Sequence, residues 1–146
     1  MHRAIWYRGK RKDNGEWVCG HYYEHQPPMQ CMTPKDYVPE KPKSYILQTG
    51  FADWNMPRPV DFIEVDPETV GQYTGQDDKN GIGIYEGDIA KADIYGKEFA
   101  GLVQYSQGLG LYYLSDMARS DTELWICEEK EVIGNIHDNP ELLEVE

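Results

Sequence analysis

Apolar and polar positions alternate over short runs broken by glycine and proline, the pattern of strands joined by turns. Ala4–Tyr7 and Glu16–Tyr23 read as the first two strands. The Asn14-Gly15 pair between them favours the positive φ angles of a tight hairpin turn. Residues 26–42 then hold Pro27, Pro28, Pro34, Pro39 and Pro42 with few aliphatics. Proline removes a backbone donor and disfavours helix in the residue before it, so this segment is predicted to be a loop or extended linker. Tyr45–Thr49 and Asp61–Val65 read as two further strands, with Pro57 and Pro59 in the loop between them. Asp66-Pro67-Glu68-Thr69 is a helix-start signal: Asp66 caps, Pro67 suits the first helical position, and Glu68 favours the positive dipole end. Gly71 and Gly75 limit that helix to a turn.

The remaining chain predicts a run of short strands. Asp88–Ile94 places Ala90, Ala92 and Ile94 on one face, and the next strand does the same with Phe99, Gly101, Val103 and Tyr105. Leu109, Leu111 and Tyr113 share a face in the third, around the Gly108/Gly110 turn region. Leu124–Cys127 and Val132–Ile136 supply two more. Five closely spaced strands with glycine-containing turns predict a small antiparallel barrel or sandwich, and Tyr85-Glu86-Gly87-Asp88 suits the turn that opens an SH3-like barrel. The fold class is therefore mainly β. Residues 1–65 form a β-rich N-terminal portion with its Pro-rich loop at 26–42, and residues 66–146 form the barrel.

Charge divides the chain further. The net charge is -12. Residues 1–73 hold 9 Lys/Arg against 10 Asp/Glu, whereas residues 74–146 hold 5 against 16. An acidic surface repels phosphate backbones and lacks the counterion release that drives nucleic-acid binding. The exception is the start of the chain, where Arg3, Arg8, Lys10, Arg11 and Lys12 stand with no acid among the first twelve residues. The ordinary reading of that patch is a solvated hairpin tip. No apolar run reaches the ~18–20 residues of a membrane span, and the basic start has no apolar segment behind it, so the expected location is the cytoplasm. Cys19, Cys31 and Cys127 are an odd, sparse set that fits reduced thiols, with Cys127 a small buried hydrophobe in Leu-Trp-Ile-Cys.

Few residue groups suggest chemistry. Cys19, His21, His25 and Cys31 form a Cys2His2 set, but without the paired spacing of zinc fingers, so no metal is expected. Gln76-Asp77-Asp78-Lys79-Asn80-Gly81 touches the calcium-loop pattern at Asp78, Asn80 and Gly81. It lacks the acids at positions one and twelve, where Gln76 and Gly87 stand. Gly108-Leu109-Gly110 is not completed to a dinucleotide fingerprint, and no nucleophile elbow occurs around Ser106, Ser115 or Ser120. Glu86, Asp88 and Asp93 are the acids available for acid–base work; the plainer role of Asp88 is to bond the backbone of its own turn. No cofactor and no enzymatic activity are expected. The chain has 11 Tyr against 3 Phe, and tyrosine suits partly exposed interfaces. In each of the adjacent pairs Tyr22/Tyr23 and Tyr112/Tyr113, one ring must point away from the core.

Four segments of the C-terminal half, taken in order, carry a resemblance. They are Gly71-x-Tyr73-Thr74-Gly75, Asp78-x-Asn80-Gly81, Ile84-Tyr85-Glu86-Gly87-Asp88-Ile89, and Ile133-Gly134-Asn135-Ile136 closed by Asn139-Pro140-Glu141-Leu142-Leu143. Over residues 70–143, and more weakly around Trp6, the chain resembles the YopX family of phage and prophage proteins. The resemblance implies a C-terminal SH3-like barrel, a β-rich N-terminal portion and an origin in a phage or integrated element. It implies no established activity. The leading expectation is a non-enzymatic, homo-oligomeric accessory protein that binds a host or phage protein. The alternative is a nucleic-acid-binding module using the basic hairpin. The interaction surface expected from sequence comprises Trp6, Arg8, Lys10, Arg11, Lys12 and Tyr112, with no role at a membrane.

Overall fold

The computed structural model describes residues 2–27, 35–50, 54, 60–116 and 120–143. The chain divides into two units, Trp6–Val70 and a second made of Met1–Ile5 with Gly71–Glu146. The division falls a few residues beyond the 65/66 boundary expected from sequence.

The Trp6–Val70 unit is an antiparallel meander of β1 (Tyr7–Lys10), β2 (Trp17–His25), β3 (Lys43–Thr49) and β4 (Val60–Val65), in the order β4-β3-β2-β1. Tyr7 pairs with Gly20, Tyr23 with Tyr45, and Leu47 with Phe62. The end of β4 returns to the continuation of β1: Arg11 bridges Val65, Asp66 N donates to Lys10 O at 2.9 Å, and Lys12 N donates to Glu64 O at 3.1 Å. The sheet therefore curls, and one face turns inward. Ile46 and Val65 are fully buried there, beside Ser44, whose hydroxyl meets the Tyr22 hydroxyl at 3.1 Å. Gly20 permits the close approach of β2 and β3, since a Cβ on it would lie 2.3 Å from Leu47 O.

Two local expectations change. The first strand begins at Tyr7, where the ladder to Gly20 starts, and does not run over Ala4–Tyr7. The hairpin loop is longer than an Asn-Gly turn: Arg11 N donates to Glu16 O at 2.9 Å, which leaves four residues outside the ladder. Gly15 alone takes a positive φ, +74°, while Asn14 uses its side-chain oxygen to accept Glu16 N at 2.9 Å. Asp66 caps as expected, accepting Glu68 N at 3.1 Å at the head of a single 3-10 turn, Pro67–Thr69.

In the second unit, β5 (Gly71–Asp77) and β6 (Gly83–Tyr85) pair antiparallel. The strands β7 (Asp88–Ile94), β8 (Lys97–Ser106), β9 (Leu111–Asp116), β10 (Ser120–Glu123) and β11 (Glu128–Asn135) form a sheet in the order β10-β9-β8-β7-β11. Its core gathers Ile84, Ala90, Ala92, Val103, Leu114, Leu124 and Cys127, with Ile94, Phe99, Tyr112 and Val132 against it. The faces expected for β7 and β8 supply Ala90, Ala92, Ile94, Phe99 and Val103. Tyr105, at the far end of β8, is exposed.

The face expected for β9 is corrected. Leu109 lies exposed in the turn and the strand starts at Leu111. Val103 pairs with Leu114, and cross-strand partners share a face, so Tyr112 and Leu114 point inward. Leu124–Ile126, expected as strand, is a 3-10 turn that follows β10 and tucks Leu124 and Cys127 into the core. The strand over Gly71–Asp77 has no counterpart in the sequence reading, because its glycines and polar residues carry no clean alternation. The molecule is mainly β, built from antiparallel sheets. Among the described residues no pairing joins β10 to β11, so the five-stranded sheet is not closed by hydrogen bonds.

Candidate functional site

Alternation along the strands sorts the Trp6–Val70 sheet into two unlike faces. The inner face is described above. The outer face presents Arg8 and Lys10 from β1, Trp17, Cys19, His21, Tyr23 and His25 from β2, Lys43, Tyr45 and Leu47 from β3, and Phe62 and Glu64 from β4. Trp6 joins it by stacking on His21 at 5.1 Å. One transverse row, His21–Leu47–Phe62, crosses β2, β3 and β4 and is extended by Trp6, just before β1; Tyr23 and Tyr45 stand beside it.

The rings form a cluster with exposed edges. Phe62 meets Tyr23 and Tyr45 edge-on, each at 6.2 Å, while Tyr23 and Tyr45 lie 6.4 Å apart. Tyr23 Oη lies 3.1 Å from His25 Nδ1. Tyr23, His25, Tyr45, Leu47 and Phe62 line an open depression of about 500 Å³. Phe62 is 58% exposed, Trp6 44% and Tyr23 42%. Rings of this size on one open face are a concentration of apolar area that isolated surface residues do not produce.

Cations frame the rings. The Arg8 guanidinium lies 4.8 Å over the Trp17 ring and Lys10 Nζ lies 5.6 Å from it, both within cation–π range. Lys43 pairs with His25 at the opposite end of β2 and is exposed. Glu64 is the one acid that the four strands place on this face, and it pairs with Lys12 at 3.3 Å. Arg11 pairs with Asp13 at 2.6 Å. Arg11, Lys12 and Phe62 help line a second depression of about 320 Å³ with Asp13, Ile63 and Glu64.

Of the six surface residues expected from sequence, Trp6, Arg8 and Lys10 lie on or beside this face, while Arg11, bridged to Val65, and Lys12 belong to the hairpin end and pair with Asp13 and Glu64. Tyr112 belongs to neither; it is half-buried in the other unit, 5.0 Å from Tyr105 and packed on the core. Sequence reading missed Trp17, Lys43, Tyr45 and Phe62 as parts of one surface. Tyr45 and Phe62 were visible as strand residues, but their shared face depends on the β2–β3–β4 register. The Tyr22/Tyr23 pair splits as alternation requires, Tyr22 inward and Tyr23 outward.

The Cys2His2 candidates are not brought together among the described residues. Cys19, His21 and His25 follow one another along β2, and four residues of strand separate His21 from His25 by ~13 Å. His21 is stacked on Trp6 and His25 meets Tyr23. Cys31 lies outside the described residues. Among the described residues, no three His, Cys, Asp or Glu side chains are grouped to hold a metal ion.

Four acids of the C-terminal unit, Asp78, Asp88, Asp93 and Glu86, accept backbone amides. Asp78 is 6% exposed; Oδ1 accepts Asn80 N at 2.8 Å and Ile82 N at 2.9 Å, and Oδ2 accepts Val132 N at 3.1 Å. Burial works to raise its pKa, but those amides, with Lys79, outweigh it and hold the carboxyl below its usual value. This is the residue that resembled a calcium ligand, and here it fastens the 78–82 turn to β11. Asp88, almost fully buried, accepts Tyr85 N at 2.8 Å, the turn role expected for it. Asp93 accepts Gly96 N at 2.7 Å in its hairpin. Glu86 accepts Gln72 N at 3.2 Å, and burial pushes its carboxyl above the ordinary value. Asn135 Oδ1 accepts both His137 N and Asp138 N, folding Ile133–Asp138 toward the 3-10 turn Pro140–Leu143.

Those motif residues match the family model described as YopX protein over residues 6–144. The chain belongs to the YopX family. The match takes in both units of this YopX protein, including the N-terminal sheet. Among solved structures, it is similar to the crystal structure of protein EF1440 from Enterococcus faecalis, at 21% identity and a TM-score of 0.50. The alignment covers 98% of this chain and 100% of that one. At that identity the likeness concerns the fold. No curated protein matches the chain. No helix is long and apolar enough to cross a membrane, among the described residues.

Proposed function

We propose that this YopX protein is a non-enzymatic nucleic-acid-binding module of a phage or integrated element, working in the host cytoplasm through the outer face of its N-terminal sheet. One observation carries the reading: exposed rings and Arg8, Lys10 and Lys43 share one open face on which the strands place a single acid, Glu64. The sequence alone favoured a protein partner because of the net charge. That charge is unevenly held: Trp6–Val70 has 8 Lys/Arg against 10 Asp/Glu, and the other unit has 6 against 16. Repulsion of phosphate is thus mainly a property of the other unit. Stacking rings beside cations is the chemistry that tracks a polynucleotide. The non-enzymatic part of the reading draws support from Asp78, Asp88 and Asp93, whose oxygens are used on backbone amides. The same reading takes the β7–β11 sheet as an SH3-like curl that serves as scaffold.

Titration of the full chain with labelled oligonucleotides, single-stranded and duplex, tests this. Binding is expected at low salt and should weaken steeply as salt rises. Failure of both forms to bind at low salt overturns it.

A second reading, a protein partner or self-association through the C-terminal unit, is favoured by Tyr95. This residue is 98% exposed and adopts φ +51°, a conformation a tyrosine holds at a cost. Sedimentation of wild type and Tyr95→Asn tests it; identical monomeric behaviour removes the self-association arm.

A further inference from the structure

Resting on the nucleic-acid reading, we infer that the outer sheet face takes single strands and excludes duplex, with Tyr23, Tyr45 and Phe62 as the base-stacking platform and the flanking cations as phosphate contacts. A duplex hides the π-faces of its bases and offers a phosphate wall. Only unpaired bases can lie on exposed rings. The geometry supplies the platform on an open surface: Phe62 presents its ring edge-on to Tyr23 and Tyr45, and the three line a depression of about 500 Å³ with His25 and Leu47. A flat aromatic ligand fits that space.

The cations stand at both ends of the rings. Lys43 lies at the His25 end, beyond Tyr45; Arg8 and Lys10 lie farther off, beside Cys19 and Trp17, ~13–20 Å along β2 from Tyr23, and Glu64, cross-strand to Tyr45, is held by Lys12. Adjacent same-face residues along a strand are ~6.8 Å apart, so successive rows of the face can meet successive groups of an extended strand. The charge pattern selects an anionic occupant, and the rings select one that carries planar faces. A single-stranded nucleic acid satisfies both. A purely acidic peptide would leave the rings uncovered.

The test is fluorescence anisotropy with the full chain, a labelled mixed-sequence single strand and the same sequence as duplex, across a salt series. The single strand is expected to bind at least about 10-fold more tightly than the duplex. Phe62→Ala and Tyr23→Ala should each weaken single-strand binding by about 5- to 100-fold with little change in salt slope. Phe62→Trp should retain it. Lys43→Gln should lower the salt slope by about 0.7, one phosphate contact on a single strand. Both ring positions are well exposed, and unchanged thermal melts verify that the variants fold.

Equal affinity for single strand and duplex, or full binding by Phe62→Ala, overturns this inference and leaves the nucleic-acid reading standing. Absence of binding by both forms overturns both readings. Concentration-dependent self-association abolished by Phe62→Ala identifies a second copy as the occupant, and also overturns the inference.

Discussion

The two units of this YopX protein use their polar residues in opposite directions. In the C-terminal unit, Asp78, Asp88 and Asn135 turn toward backbone amides and build turns. In the N-terminal unit, the strand residues that differ from a plain sheet, Arg8, Trp17, Tyr23, Tyr45 and Phe62, face outward and leave the inner face to Ile46 and Val65. The contrast separates two kinds of sequence signal. Residues that specify a turn give a recognisable motif because their spacing is fixed by local geometry. Residues that form a surface from four strands have no local spacing, since their neighbours are set by register.

The strongest way to break the comparison is Asp78→Ala. It removes an acceptor from three amides in a buried setting and is expected to cost about 3 kcal/mol in urea unfolding, with oligonucleotide affinity unchanged. A loss of binding equal to that of Phe62→Ala in the folded variant would show that the two units do not divide the work. Gly20→Ala acts on the other unit. Its Cβ, 2.3 Å from Leu47 O, must push β2 and β3 apart, at a cost of about 2 kcal/mol together with weaker binding. Normal affinity in that variant would detach the ring face from the inner packing.

Two carboxyls sharpen the comparison through pH. The folded pKa of Asp78 is lowered, so its contribution is present above the ordinary carboxylate value and is lost as pH falls through the folded one. The folded pKa of Glu86 is raised, so its contribution is present below the ordinary value and is lost as pH rises through the folded one. Asp78→Asn should therefore flatten the acid limb of the stability curve, and Glu86→Gln the limb above it. Thermal melts across pH that change in the same direction for both variants would contradict the assignment. The smallest effect is at Tyr95, where φ +51° precedes Gly96 at +81° in a tight hairpin turn. Tyr95→Asn is expected to stabilise by about 0.5 kcal/mol, because asparagine tolerates that conformation better.

Much of the architecture was legible in advance, because alternation and turn chemistry are local. Ala90, Ala92 and Val103 declared their face, and Asp66-Pro67-Glu68 declared its turn. β9 was read on the wrong face because Leu109 belongs to the turn, and only the Val103–Leu114 pairing decides this. Leu124–Cys127 looked like a strand since burial of Leu124 and Cys127 mimics a core strand, although a 3-10 turn buries the same pair. For the candidate site, Trp6, Arg8 and Lys10 stood out as a charged, aromatic start. Tyr45 and Phe62 did not, because the segments separating them from β2 carry prolines and no signal of register.

The chain order of the two units sets a timetable for synthesis. Each of β1 to β4 finds a partner strand within residues 7–65, whereas β7 must wait for β11, which ends at Asn135. A nascent chain can thus pair the four ring-bearing strands while the main sheet of the acidic unit is still being made. The face of Tyr23, Tyr45 and Phe62 is then displayed while much of the chain's negative charge has yet to be translated, so the growing polypeptide passes through a less acidic form of the protein before reaching its finished one.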